Sequence, residues 1–260
     1  MSAAPLPANN GTMLFRRIFN FEKAKVDQLE KRLNQRYAPG PGFPLKAILF
    51  NSGRESPAKV QDISSNGLRL LLAHRNDLQA GHHVRVDLLL AQHRLALEAR
   101  IAHLQSADAQ ITLGLGLLFP DPEPQRTYYQ LMQPVVIGQT LKVMAPEQII
   151  QDTLGFTKRV YVGESDSMLT MWHEERAGFP PHHFEFRMAD YYCRGKLELN
   201  RPGTYALESQ GDTDPGASRP VFDTSGGLHD EICQLYRWVL PNLSPAVPAE
   251  TRTFLKFFAG

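Results

Sequence analysis

Two short constellations hold the residues best suited to chemistry. Arg32-Leu-Asn-Gln-Arg36 sets two guanidinium groups four residues apart, and Asp62-Ile-Ser64-Ser-Asn-Gly67 follows after twenty-five intervening residues. An arginine fork binds phosphate, or the Hoogsteen edge of a guanine, through two parallel hydrogen bonds, and it also stacks on a base. Ionised Asp62 only accepts, so it suits a cluster of N–H donors, and Ser64 can add a hydroxyl contact. Gly67 permits a tight turn or a close ligand approach that a Cβ would obstruct. Each motif alone has a plainer reading: RxxxR occurs on many solvated helix faces, and DxSxxG can be a turn whose Asp and Ser bond local amides. Their order around a predicted strand favours a ligand site.

The motifs, their order and their spacing resemble the PilZ family, bacterial receptors for the second messenger cyclic di-GMP. The resemblance runs over residues 31–135 and includes Leu115-Gly116-Leu117-Leu118-Phe119, similar to that family's closing strand. It implies a six-stranded antiparallel β-barrel with a following helix. It also implies cyclic di-GMP as ligand, held by Arg32, Arg36, Asp62 and Ser64 with Gly67 shaping the turn, and no cofactor. The ligand's two phosphodiesters and two guanines fit this set: arginines for phosphate and O6/N7, and Asp62 for the N1–H and N2–H₂ donors. In most relatives the second arginine leads into the first strand after a short linker. Here Pro39-Gly40-Pro41-Gly42 intervenes. The expectation is an arm that hinges at this segment, mobile without ligand and clamped with it.

The elements that must position these residues are readable in part. Asn20 to Arg36 reads as a helix, with Val26, Leu29 and Leu33 spaced for one face, ending before the Pro-Gly segment. If it reaches Arg36, Arg32 and Arg36 share a face. Apolar alternation then takes over at Val84–Leu90, Leu95–Ile101 and Ile111–Phe119, with shorter strands at Leu45–Phe50, Ala58–Ile63 and Leu68–Leu72. Six short strands suggest a barrel, which closes its own edges. Asp121-Pro122-Glu123-Pro124 opens a helix through Met132.

Residues 145–260 read as an α+β domain with strands at Lys158–Val162, Met168–Trp172, Phe184–Met188 and Lys196–Leu199. Gly211 to Pro220 reads as a polar loop, and an amphipathic helix bearing Leu228, Ile232, Leu235 and Val239 ends at Pro241. The aromatics of this half, Trp172 and Tyr236 among them, read as core, while Phe254-Leu-Lys-Phe-Phe258 can dock on the body or on a partner. His82-His83 and His182-His183 are adjacent pairs, which alternate faces on a strand, and His173-Glu174-Glu175-Arg176 is not a metal-binding HExxH, so no metal site is expected. Cys193 and Cys233 lack CxxC spacing and read as buried thiols. A cysteine nucleophile with His229 or His173 as base has no local signature.

Composition sets the outer limits. The chain has 260 residues, 42% hydrophobic and 21% charged, with a net charge of +1. Residues 1–43 hold seven basic and three acidic residues, a local surplus that suits a compact anionic ligand better than DNA or RNA. No apolar run approaches the ~20 residues of a membrane span, and no signal peptide opens the chain, so a cytoplasmic protein is expected. The organisation expected is a basic helical arm at 1–30, the barrel at 31–135 and an output or interaction domain at 145–260. The function expected is a non-enzymatic cyclic di-GMP receptor that signals through an unknown protein partner to motility, biofilm, exopolysaccharide or virulence. Two alternatives stay open, a scaffold that has lost the nucleotide and an enzyme in 145–260 regulated by the barrel.

Overall fold

The computed structural model describes residues 35–73, 77–107, 109–175, 181–198, 200, 203–210 and 221–260. Six antiparallel strands open it: β1 (Leu45–Asn51), β2 (Arg54–Ser64), β3 (Gly67–Ala73), β4 (His83–Leu90), β5 (His93–Ala107) and β6 (Gln110–Leu118). They close in the order β1-β2-β3-β6-β5-β4, so every strand is paired on both sides. The alternation follows from this closure. Leu49, Leu68, Leu70, Val86, Leu88, Ala99 and Leu113 are fully buried inside, each leucine contributing about 1.5–3 kcal/mol.

Strict alternation fails at two places. β2 has a bulge between Val60 and Asp62, and β5 has one between Ile101 and His103. A bulge inserts one residue and re-aims those after it. Val60 and Ile63 both point inward, and Asp62 turns outward opposite Arg69. Likewise Ile101 is buried while His103 is exposed opposite Gly114.

Helix α1 (Pro122–Thr140) follows, with Glu123 in its first turn. It is longer than the helix through Met132 expected from sequence. Pro134 removes one backbone hydrogen bond, at a cost of about 3 kcal/mol, yet Leu131, Met132, Val135, Val136 and Ile137 are all buried around it and hold the helix together.

The chain divides into two compact units. Among the described residues, one comprises 35–36 and those within 44–131, the other 37–43 and those within 132–260. The second carries a seven-stranded sheet in the order β13-β12-β11-β10-β9-β8-β7. Its strands are β7 (Lys142–Val143), β8 (Phe156–Val162), β9 (Met168–Glu174), β10 (Pro181–Met188), β11 (Tyr191–Leu197), β12 (Tyr205–Gln210) and β13 (Phe222–Asp223). β11 begins five residues before the Lys196 expected from sequence, Leu199 lies outside the described residues, and β7, β12 and β13 are additional.

Helix α2 (Gly227–Val239) follows the sequence expectation, burying Ile232, Leu235, Tyr236 and Val239 and packing against β11 and β12. Helix α3 (Ala249–Lys256) carries the start of the closing aromatic run. Phe254 and Phe258 bury against Phe184, and Phe257 stays exposed, stacked on Tyr205. Gly211 to Pro220 lies outside the described residues. Among the described residues no helix is long and apolar enough to cross a membrane.

Candidate functional site

The outer face of the barrel gathers most of the motif residues. Arg36 Nη1 donates to Asp62 Oδ1 at 2.6 Å, and Arg69 Nε lies 3.2 Å from Asp62 Oδ2. Asp62 is therefore held between two guanidiniums. Its side chain is only 12% exposed, whereas those of Arg36 and Arg69 are 43% and 41% exposed. Arg32 and residues 20–34 of the helix expected over Asn20 to Arg36 lie outside the described residues. Gln35 and Arg36, the last two residues of that expected helix, are not helical.

Arg69 is absent from the motif reading. The signal was available in the hairpin: with Ser65-Asn66 at the turn, Ser64 pairs with Gly67, Ile63 with Leu68 and Asp62 with Arg69. A residue seven places after the aspartate must face it.

Ser64 and Gly67 act locally in the structure. The Ser64 hydroxyl donates to the Gly67 carbonyl at 3.4 Å, and the Tyr128 hydroxyl of α1 donates to the carbonyls of Ser64 and Gly67 at 2.8 and 3.1 Å. Tyr128 is fully buried, and that burial raises its pKa well above the ordinary phenol value, so it remains a donor. Gly67 does not provide the turn, since Ser65 and Asn66 form it and Gly67 has no positive φ. A Cβ there would stand 3.0 Å from the Leu115 carbonyl oxygen and 3.2 Å from Ser64 Oγ, with Arg36 Nη2 at 3.9 Å. Close packing beneath Arg36 is what excludes a side chain.

Residues 30–133 match the PilZ domain family model. These residues form a PilZ domain. Among solved structures the chain is similar to the PilZ domain of YcgR from Escherichia coli with c-di-GMP, at 16% identity over 38% of this chain and 89% of that one, with a TM-score of 0.32. It is also similar to the PlzA protein of Borreliella burgdorferi in complex with c-di-GMP, at 10% identity over 67% of this chain and 86% of that one, with a TM-score of 0.33. Comparison with curated proteins finds no match.

The Pro-Gly segment that enters the PilZ domain's first strand is packed within the second unit rather than free. Gly40 N–H donates to Asn242 Oδ1 at 2.7 Å, and Asn242 Nδ2 donates to the Trp238 carbonyl at 2.8 Å. A Cβ on Gly40 would overlap the Pro241 carbonyl. Gln139 donates to the Ala38 carbonyl. Tyr37 is buried, and burial together with its neighbour Glu164 pushes its hydroxyl pKa up to about 12, so it donates to Glu164 Oε2 at 3.3 Å.

The second unit has chemistry-bearing groups of its own. Cys233 Sγ lies 3.2 Å from His229 Nε2, and His229 Nδ1 lies 2.9 Å from Ser209 Oγ. Burial pushes the Cys233 thiol up, opposed by Arg237 and aided by Asp230, and burial raises Cys193 further. Both thiols stay protonated inside the core, unlike a nucleophile activated as thiolate. An open groove of about 750 Å³ borders His183, Phe184, Gly195, Lys196, Tyr205 and Phe254, and no motif residue lines it. Beside it Glu208 is bonded by Arg194 at 2.7 Å and Lys196 at 3.0 Å; burial alone would raise its pKa, but these two cations outweigh burial and lower it. Among the described residues no group of three or more His, Cys, Asp or Glu could hold a metal.

Proposed function

We propose that the chain is a cyclic di-GMP receptor, binding its ligand on the outer face of the PilZ domain through Arg32, Arg36, Asp62 and Ser64, with Gly67 keeping the floor low. The observation that carries this reading is Asp62 fixed between Arg36 and Arg69, whose side chains are both partly exposed. An anionic dinucleotide meets guanidinium forks for its phosphates and O6/N7 edges, and a carboxylate for guanine N1–H and N2–H₂. No bond is made or broken, and the protein's task is binding.

The output we propose is mechanical. Arg36 belongs to the first unit, and the next residue, Tyr37, opens a segment packed in the second. One peptide bond joins a ligand contact to an anchored linker. Ligand that recruits Arg36 therefore alters the strain on residues 37–43, and residues 145–260 serve as the output domain presented to a protein partner. Such a switch needs only a difference in ligand affinity between two states.

Thermal unfolding with and without ligand tests the binding reading, because a ligand that binds only the folded state raises its melting temperature with concentration. Cyclic di-GMP should raise the melting temperature. Cyclic di-AMP, which lacks the guanine N1–H and N2–H₂ donors, should not. Equal shifts with both, or none with either, would overturn the reading.

A further inference from the structure

The two β-bulges of the barrel stand at opposite ends of one cross-strand row. Asp62 pairs with Arg69, Arg69 with Gly114, and Gly114 with His103. The bulge before Asp62 turns it outward at one end, and the bulge before His103 turns it outward at the other. The neighbouring row runs Ser64, Gly67, Gly116, Arg100, His83. Bulges cost ladder hydrogen bonds and commonly re-aim a side chain toward a site. Here two of them point side chains onto a single face.

That face is flat in the middle and cationic at its edges. A Cβ on Gly114 would overlap the His103 ring, so the exposed imidazole lies down over the glycine. Among the described residues, the only atom within 4 Å of a Cβ on Gly116 would be the Arg100 carbonyl oxygen at 3.9 Å, which leaves room above it. Arg100 is exposed, and among the described residues no carboxylate pairs with it; Glu98, two residues earlier, faces Arg85. Two guanidiniums, those of Arg69 and Arg100, thus stand on these rows, and a third, that of Arg36, is bonded to Asp62 at their end, against the one carboxylate of Asp62.

We propose that this shelf is a second compartment of the nucleotide site, in which His103 stacks on the far guanine and Arg100 binds its phosphodiester or its O6/N7 edge. The inference rests on the cyclic di-GMP reading and extends it to two residues outside both motifs. Three strand spacings separate Asp62 from His103 in the row, about 14 Å, and the ring's position over Gly114 shortens the gap to about 10 Å. A ligand with two purines on one phosphodiester ring has a base for each end. Arginine planes and imidazole rings both serve as stacking surfaces for bases. The dianionic charge of the ligand also matches the surplus of two positive charges.

Calorimetric titration of cyclic di-GMP into the full chain tests this with Arg100→Ala, His103→Ala, His103→Phe and Gly116→Val, and with Lys46→Ala on β1, outside the shelf, as a control of equal charge change. Arg100→Ala and His103→Ala should each weaken binding roughly tenfold, in line with the loss of a charge-assisted or stacking contact. His103→Phe should keep affinity within about threefold because it keeps a stacking surface, and Lys46→Ala within about twofold. Gly116→Val, whose side chain would stand on the shelf floor, should weaken binding as Arg100→Ala does. Wild-type binding that Arg100→Ala and His103→Ala leave unchanged, with all variants melting as the wild type does, would overturn the second compartment and spare the receptor reading. A well-folded wild type that takes up no cyclic di-GMP would overturn both.

Discussion

Arg36 Nη1 donates to Asp62 Oδ1 at 2.6 Å, so the second arginine of the first motif and the first residue of the other already satisfy one another. Arg69 holds the other carboxylate oxygen. The proposed site is preorganised in charge: a ligand there would add to an existing Arg-Asp-Arg arrangement rather than assemble one from separated parts.

Arg36→Ala should therefore separate binding from stability. Asp62 keeps Arg69, and Arg36 is well exposed, so urea unfolding should change by no more than about 1 kcal/mol. Cyclic di-GMP affinity should fall roughly tenfold or more. A large loss of stability with affinity retained would assign Arg36 a structural role instead.

Gly67→Ala should destabilise the barrel by about 1–3 kcal/mol, because the new Cβ meets a strand carbonyl at 3.0 Å that cannot rotate away. Denaturant midpoints report this directly. An unchanged midpoint would mean that the β3–β6 pairing yields easily at this point.

The linker contact makes a prediction for the second unit. Asn242 is buried and spans Gly40 N–H and the Trp238 carbonyl, so Asn242→Ala leaves both without that partner and should cost about 1–3 kcal/mol. Gly40→Ala should expel residues 37–43 from their packing against Pro241. Faster proteolysis near Ala38 in Gly40→Ala than in the wild type is the expected result, and equal rates would show the segment is not anchored there.

His183 stacks on Trp172 with ring centroids 4.4 Å apart, and its Nδ1 lies 3.0 Å from that of His182. Burial, and then the charge of His182, push its pKa down from 6.5 to about 4. The unfolded chain takes up this proton first as pH falls. The stability His183 contributes is thus present above pH 6.5 and lost progressively as pH falls toward about 4. Denaturant midpoints across that window should drop, and His183→Gln should flatten the drop. An identical slope in the variant would place the proton elsewhere.

The barrel was legible in sequence because its strands bury one face, and Val84, Val86, Leu88 and Leu90 alternate without interruption. The direction of Asp62 was not. Counting by twos from Val60 points the carboxylate inward, and only the bulge turns it out. The second sheet reads poorly for a different reason: Leu169 through His173 in β9 are all buried, so the strand is covered on both faces and shows no alternation. Helix α1 runs past the expected end at Met132 and through Pro134 because the apolar residues buried around that proline hold it together. Arg36 lies at the edge of what local pattern can say, since its lead-in reads as helix while its own position is set by a pairing twenty-six residues away.

The most direct measurement is calorimetric titration of cyclic di-GMP into the wild type and into Asp62→Ala. The account predicts saturable, micromolar or tighter binding to the wild type, and at least a roughly tenfold loss when the carboxylate that reads guanine is removed. Binding to Asp62→Ala as tight as to the wild type, or no binding to a well-folded wild type, would contradict it.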